Sequence, residues 1–177
     1  ISGGMGEGWG DFYARMILSS ADEDGNGING TGQYATHLAA AGYTDNYYYA
    51  IRRFPSVPKS VLGPNGKPHN PITLADIDPN QISLLDGAFA RGPFGVSTVD
   101  QVHNLGEIWS SALWEVRAKL VTRLGWAVGN RKALQLVTDG MKLAPLGPTF
   151  LQERDAILAA AQASSIAPES GPDVADV

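Results

Sequence analysis

Glu7 and Asp11, in Met5-Gly6-Glu7-Gly8-Trp9-Gly10-Asp11, stand four residues apart. On a helix that spacing sets both carboxylates on one face. Two carboxylates so placed repel each other unless a cation or a proton donor stands beside them, and a metal ion with its supporting groups satisfies both. In histidine-zinc sites one carboxylate binds the metal while a neighbouring one accepts the free ring N–H of a ligating histidine. A solvated acidic helix face is the commoner use of this spacing, because exposed Glu and Asp are frequent. The spacing alone leaves both readings open.

Other residue types invite the same question. His103 has Asp100 three residues before it and Glu107 four after, either of which could partner its ring; a lone histidine is more often a satisfied surface or core residue. Arg52 and Arg53 precede Phe54-Pro55, and an arginine near a cleft can hold a carbonyl or orient an acidic group with its fixed donor fork. Two solvated basic residues on a loop are an equal alternative. Tyr47-Tyr48-Tyr49 could line a cleft or cover the core. Asp22-Glu23-Asp24-Gly25-Asn26-Gly27 fits the opening of a calcium loop, with Asp22, Asp24, Asn26 and the carbonyl of Ile28 as oxygen donors. The match fails at the twelfth place, where Gln33 replaces the bidentate Glu, and at Asn29, where an apolar anchor belongs. A flexible turn is the plainer reading.

The elements that carry these residues read as helices. Met5, Trp9, Phe12, Tyr13, Met16 and Ile17 recur at three- and four-residue steps and predict an amphipathic helix over residues 5–20. Glycines at 3, 4, 6, 8 and 10 oppose it, each by roughly 1 kcal/mol relative to Ala; close approach of a neighbouring helix would account for them. Asp22 to Gly32 is a loop by turn chemistry, Tyr34 to Ala41 a short helix with Gly42 past its end, and the proline-rich stretch from Ser56 to Pro71 a long surface loop. Residues 72–97 suggest short helical turns and irregular structure. Thr98-Val99-Asp100-Gln101 has the pattern of a capping box and opens the strongest helix, with Leu105, Ile108, Trp109, Ala112, Leu113, Val116, Leu120 and Leu124 on one face and Gly125 as its stop. A further helix is expected from Asn130 to Leu143. A second box at Thr149-Phe150-Leu151-Gln152 starts another that runs to about Ala163. The fold class is therefore mainly α, a helical bundle with long loops over residues 1–163, followed by a disordered tail at 164–177.

Composition narrows the function. With 177 residues and 44% hydrophobic content the chain makes one domain with a real core. A net charge of −5 has the wrong sign for gripping phosphate backbones, so nucleic acid is not expected as a partner. Neither is a membrane, since no stretch approaches the roughly 18 apolar residues of a span. The N-terminus, Ile1-Ser2-Gly3-Gly4, has neither an initiator Met nor the regions of a signal peptide and reads as the middle of a longer chain. Cysteine is absent, so any metal must use His, Asp or Glu.

Met5-Gly6-Glu7-Gly8-Trp9-Gly10-Asp11-Phe12-Tyr13-Ala14 resembles the segment that follows the H-E-x-x-H helix in fungalysin-type secreted metallopeptidases, relatives of the thermolysin group. Two later stretches resemble the same family in the same order. One is Val102-His103-Asn104-Leu105-Gly106-Glu107-Ile108-Trp109 with Leu113-Trp114-Glu115-Val116. The other is Val137-Thr138-Asp139-Gly140-Met141-Lys142-Leu143 with Pro148-Thr149-Phe150 and Arg154-Asp155-Ala156-Ile157. The resemblance implies the C-terminal helical subdomain of a thermolysin-like peptidase, secretion, and hydrolysis of protein or peptide substrates with zinc. It implies Glu7 as the third zinc ligand, Asp11 as support for a ligating histidine, His103 as a hydrogen-bond donor to the tetrahedral oxyanion, and Arg52 at the position of a family arginine.

One departure is decisive for activity. H-E-x-x-H sets two histidines one turn apart on zinc, with the Glu between them activating water. The histidines here are His37, His69 and His103, none with that spacing. The chain alone is therefore expected to be inactive and to need the upstream half of its own catalytic domain as partner, with H-E-x-x-H roughly 20 to 30 residues before Ile1. The competing expectation is a non-catalytic helical binding module that kept the scaffold and lost the histidine helix.

Overall fold

The computed structural model describes residues 2–39, 48–63, 66–74 and 101–165. Five helices lie within them: α1 (Ser2–Leu18), α2 (Gln33–Ala39), α3 (Val102–Leu124), α4 (Trp126–Leu143) and α5 (Phe150–Ser165). Isolated bridges such as Asn29 with Ser56 and Thr31 with Ala50 are the only β pairing among the described residues. The mainly α bundle expected from periodicity is what forms, and α1, α3, α4 and α5 pack in chain order, each against the next.

The glycines of α1 divide into two sets. A methyl on Gly8 would meet the Gly106 carbonyl oxygen at 2.5 Å, a methyl on Gly106 would meet Glu7 Cβ at 2.7 Å, and Gly4 lies directly against Leu105. Gly6 and Gly10 have nothing within 4 Å. The propensity cost of the first set is therefore offset by backbone contact between α1 and α3. That seam buries Met5, Phe12 and Met16 of α1 with Leu105, Ile108, Trp109 and Leu113 of α3. Trp9 meets Trp109 edge to face at 6.5 Å, and Trp109 stacks on Phe150 at 5.3 Å, which extends the core into the start of α5.

Helix boundaries show where local signals succeed. Thr149 and Gln152 form the reciprocal box that opens α5, with Thr149 N donating to Gln152 Oε1 (2.8 Å) and Gln152 N donating to Thr149 Oγ1 (3.2 Å). At α3 the cap is Gln101, and the helix starts at Val102. Thr98 lies outside the described residues, and the Gln101 side chain already accepts the amides of His103 and Asn104 that a cap must satisfy. Gly125, at φ 78°, ends α3 as expected. α4 begins at Trp126 rather than Asn130, because Gly129 lets its first turn ride against the Leu120 carbonyl oxygen, which a methyl there would meet at 2.5 Å. α5 runs two residues past Ala163. Residues 75–100, Gly42 and 166–177 lie outside the described residues, and with them most of the 72–97 stretch and the expected tail.

The segment taken for a surface loop is buried where it matters. Arg52 through Pro58 are buried, as are Asn70 and Ile72. Asn70 Nδ2 donates to the Pro55 carbonyl at 3.0 Å, and the Lys59 ammonium holds the carbonyls of Ile72 and Asn70. Prolines suit such a strap because they need no amide partner in the interior. No helix among the described residues is long and apolar enough to cross a membrane.

Candidate active site

Glu7 from α1 and His103 from the first turn of α3 meet across the glycine seam. His103 Nε2 is 3.3 Å from Glu7 Oε2, and Arg52 Nη2 is 3.6 Å from the same oxygen. Their side chains remain 38% exposed for Glu7 and 49% for His103, so a ligand can reach both. Beneath them the contacts are closed. Arg52 grips Asp11 with two bonds, Nε to Oδ2 at 2.6 Å and Nη2 to Oδ1 at 2.7 Å, in the planar fork that arginine alone provides. Burial works against the Arg52 charge, but the Asp11 bonds and the fields of Asp11, Glu107 and Glu7 outweigh it and raise the pKa.

Arg53, next in sequence, turns the other way. Its backbone N–H and Nε donate to Glu107, the latter at 2.6 Å, and Nη2 donates to the Asn104 carbonyl at 3.0 Å. Burial pushes the Glu107 carboxyl above the usual range, against the pull of Arg53 and then Arg52. Successive residues thus clamp α1 at Asp11 and α3 at Glu107, each one helical turn beyond the exposed residue above it.

The orientation of His103 follows from its own helix cap. Gln101 Oε1 accepts the backbone N–H of His103 at 2.8 Å and of Asn104 at 3.2 Å. An amide whose oxygen is held in this way can offer only its NH2 to the ring, and Gln101 Nε2 lies 2.6 Å from His103 Nδ1. Nδ1 is therefore the acceptor, and the neutral ring carries its proton on Nε2, facing Glu7.

Glu7, Asp11, Arg52 and His103 are brought together; the remaining candidates are not part of the cluster. Glu107, one of two candidate partners for the His103 ring, pairs with Arg53 instead because both are buried beneath the seam. Asp100 and Tyr47 lie outside the described residues, as does the side chain of His37. Tyr49 is buried and Tyr48 donates to or accepts from His69 Nδ1 at 2.6 Å, a contact within the strap. Past the far end of α1, Asp22 Oδ1 accepts from Ser20 at 2.6 Å, and Asp24 Oδ1 accepts from Asn26 N at 2.9 Å. These are turn contacts. An apolar groove of about 390 Å³ between α3 and α5, lined by Ile108, Leu113, Val116 and Leu151 among others, lacks histidine and is separate from the Glu7 cluster.

As a metal site the cluster is partial. Glu7 offers the oxygen donor that zinc accepts from carboxylates, yet no group of three or more His, Asp or Glu that could hold a metal ion exists among the described residues. Sequence reasoning missed Gln101 as the cap and the Arg53–Glu107 pair. The first had only a partial signal, since Gln101 closed the expected box but glutamine is a less usual cap; the second, across 54 residues, had nothing local.

Comparison with known proteins bears on the whole chain. The family model described as fungalysin metallopeptidase (M36) matches residues 1–169. The chain is 31% identical over 175 residues to a probable extracellular metalloproteinase 2 of Arthroderma benhamiae, covering 92% of this chain and 22% of that protein. It is 29% identical over 175 residues to extracellular metalloproteinase 10 of Coccidioides posadasii, with the same coverage. Over 170 residues it is also 29% identical to an extracellular metalloproteinase of Aspergillus niger, covering 89% of this chain and 21% of that one. The chain thus spans about a fifth of the length of the relatives it matches. On the match over nearly its whole length, the chain belongs to the fungalysin (M36) metallopeptidase family.

Proposed function

We propose that this chain is the carboxylate-bearing part of a secreted zinc metalloendopeptidase centre that acts on protein substrates. Glu7 is the third zinc ligand, Asp11 supports a ligating histidine, Arg52 is fixed on Asp11 beside Glu7, and His103 donates to the developing oxyanion. What supports this reading is one observation: an exposed Glu7 and an exposed His103 converge at 3.3 Å above a buried Asp11–Arg52 fork, within a segment matched by the family. Bound zinc would supply Lewis-acid polarisation of a peptide carbonyl and activation of water. His103 presents Nε2–H to the carbonyl oxygen as charge builds on it, an electrostatic contribution that needs no metal ligation. Arg52, fixed on Asp11, also faces Glu7 with Nη2 at 3.6 Å and so orients an acidic ligand rather than reaching for substrate. The two histidines and the water-activating Glu belong to an H-E-x-x-H helix supplied by the preceding half of the catalytic domain.

The test is to measure zinc stoichiometry and casein cleavage for the chain with and without an added H-E-x-x-H segment. The reading expects weak zinc retention and no cleavage from the chain alone, and stoichiometric zinc with cleavage from the completed unit. A completed unit that holds zinc and stays inactive would sink the assignment, and a fully active isolated chain would sink it equally.

A further inference from the structure

We infer that Gln101 is a positioning residue for His103: while its amide oxygen caps α3, its amide nitrogen fixes the imidazole in the tautomer that carries hydrogen on Nε2. The inference rests on the reading of His103 as an oxyanion donor, and the contacts themselves are independent of it. Two atoms of one side chain make three contacts. Oε1 accepts the His103 and Asn104 amides at 2.8 and 3.2 Å, the second and third residues of α3, where a helix offers N–H groups without intrahelical partners. Rotating the amide by half a turn would aim NH2 at two N–H groups, leaving those donors unmet and adding donor against donor. The capping contact therefore settles which end of the amide meets the ring. Nε2 of Gln101 then lies 2.6 Å from His103 Nδ1 and can only donate, so Nδ1 must present its lone pair. The single proton of the neutral ring is left on Nε2, 3.3 Å from Glu7 Oε2 and on the exposed side of the seam.

This arrangement ties a catalytic orientation to helix initiation. Glutamine is a less usual cap than Ser, Thr, Asp or Asn, and those shorter side chains would serve the amides without reaching the ring. The longer side chain does both. A glutamate at the same position would keep the cap and reverse the ring contact, because its second oxygen accepts where the amide nitrogen donates.

Nitrogen-15 spectra of the imidazole in the 177-residue chain, recorded at rising pH until the shifts stop changing, read the tautomer directly. In the unaltered chain Nε2–H should dominate. Gln101→Glu should move the ratio toward Nδ1–H by roughly tenfold, the worth of one net hydrogen bond, with helix content unchanged by circular dichroism. Gln101→Ala, which loses both contacts, should fall between them and decides the matter if the Glu variant fails to fold. Identical tautomer ratios in all the folded forms would overturn the inference. In the unit completed with H-E-x-x-H, Gln101→Glu should lower kcat with KM held, and a tautomer change that leaves kcat untouched would overturn its catalytic part. Absence of zinc-dependent cleavage by the unaltered completed unit would remove the peptidase reading and leave the tautomer result standing; unchanged spectra would do the reverse.

Discussion

Two arginine clusters tie α1 to its neighbours, and they differ in what they leave open. Near the start of α1 and α3, Arg52 and Arg53 hold Asp11 and Glu107 beneath Glu7 and His103, which stay reachable from solvent. Beyond the end of α1, Glu23 meets Arg15 at 2.7 Å and Arg117 at 3.8 Å, Arg117 donates to Asn130 at 2.8 Å, and its guanidinium lies 4.3 Å from the centre of the Trp114 ring. Asn130 in turn donates to Ser19 Oγ at 3.1 Å. Both clusters pair buried or half-buried arginines with carboxylates. In the second the charges are buried or half-buried against packing and helix ends, whereas in the first the paired charges form a floor for a more exposed acid and imidazole. Burying a polar network is therefore not a mark of function in itself; the unburied pair above it is.

Substitutions should separate the two. The largest effect is expected from Glu7→Gln in the completed unit, where zinc and cleavage should be lost by more than the 10–100-fold that removal of a ligand's supporting partner costs, while urea denaturation shifts by only about 0.5 kcal/mol because the residue is exposed. Asp11→Ala differs most in its stability cost. It strands a buried guanidinium, which should cost about 3–5 kcal/mol in the same denaturation experiment. Asn130→Ala in the distal cluster should cost about 1–3 kcal/mol by leaving Arg117 short of an acceptor, with cleavage per folded molecule unchanged; a fall in kcat there would erase the distinction between the clusters. The seam between them can be probed with glycine. Gly8→Ala should lose about 1–3 kcal/mol by wedging α1 from α3, and Gly10→Ala, in open space, should gain up to about 1 kcal/mol.

The smallest effect concerns a carboxyl in neither cluster. Glu153 is fully buried, neither oxygen has a hydrogen-bond partner among the described residues, and burial raises its pKa. A carboxyl raised in the folded state favours folding below its unfolded pKa of about 4.3 and opposes it once pH passes the raised value. Glu153→Gln should therefore raise the melting temperature at pH 7 to 8 and leave it unchanged near pH 3.5. Equal gains at both ends would mean that the effect is not the carboxylate's charge.

What the sequence made legible was whatever depends on neighbours within a turn or two. Helix periodicity placed α1 and α3, Gly125 marked the end of α3, and Thr149 and Gln152 announced the cap they form on α5. The glycines of α1 pointed to a close neighbour, and Gly4 and Gly8 met one while Gly6 and Gly10 did not. The early start of α4 was hidden because Trp126-Ala127-Val128-Gly129 has a weak periodic signal and its fit depends on a contact with Leu120. Arg53 and Glu107 looked like a loop cation and a ring partner for His103; their pairing is a consequence of the strap's burial, which no local pattern encodes. Glu7 was legible from its motif, whereas the side chains around it were only half so: Asp11 by helical spacing, Arg52 by resemblance, and Gln101 as the end of an expected box rather than as the cap itself.

The central claim is that Glu7 binds zinc. Anomalous scattering at the zinc edge from crystals of the chain completed with an H-E-x-x-H segment tests it most directly. The account predicts zinc about 2.0–2.2 Å from a Glu7 carboxylate oxygen, with Asp11 buried against Arg52 below. Zinc held by the histidines while Glu7 remains turned onto His103 and Arg52 would contradict it.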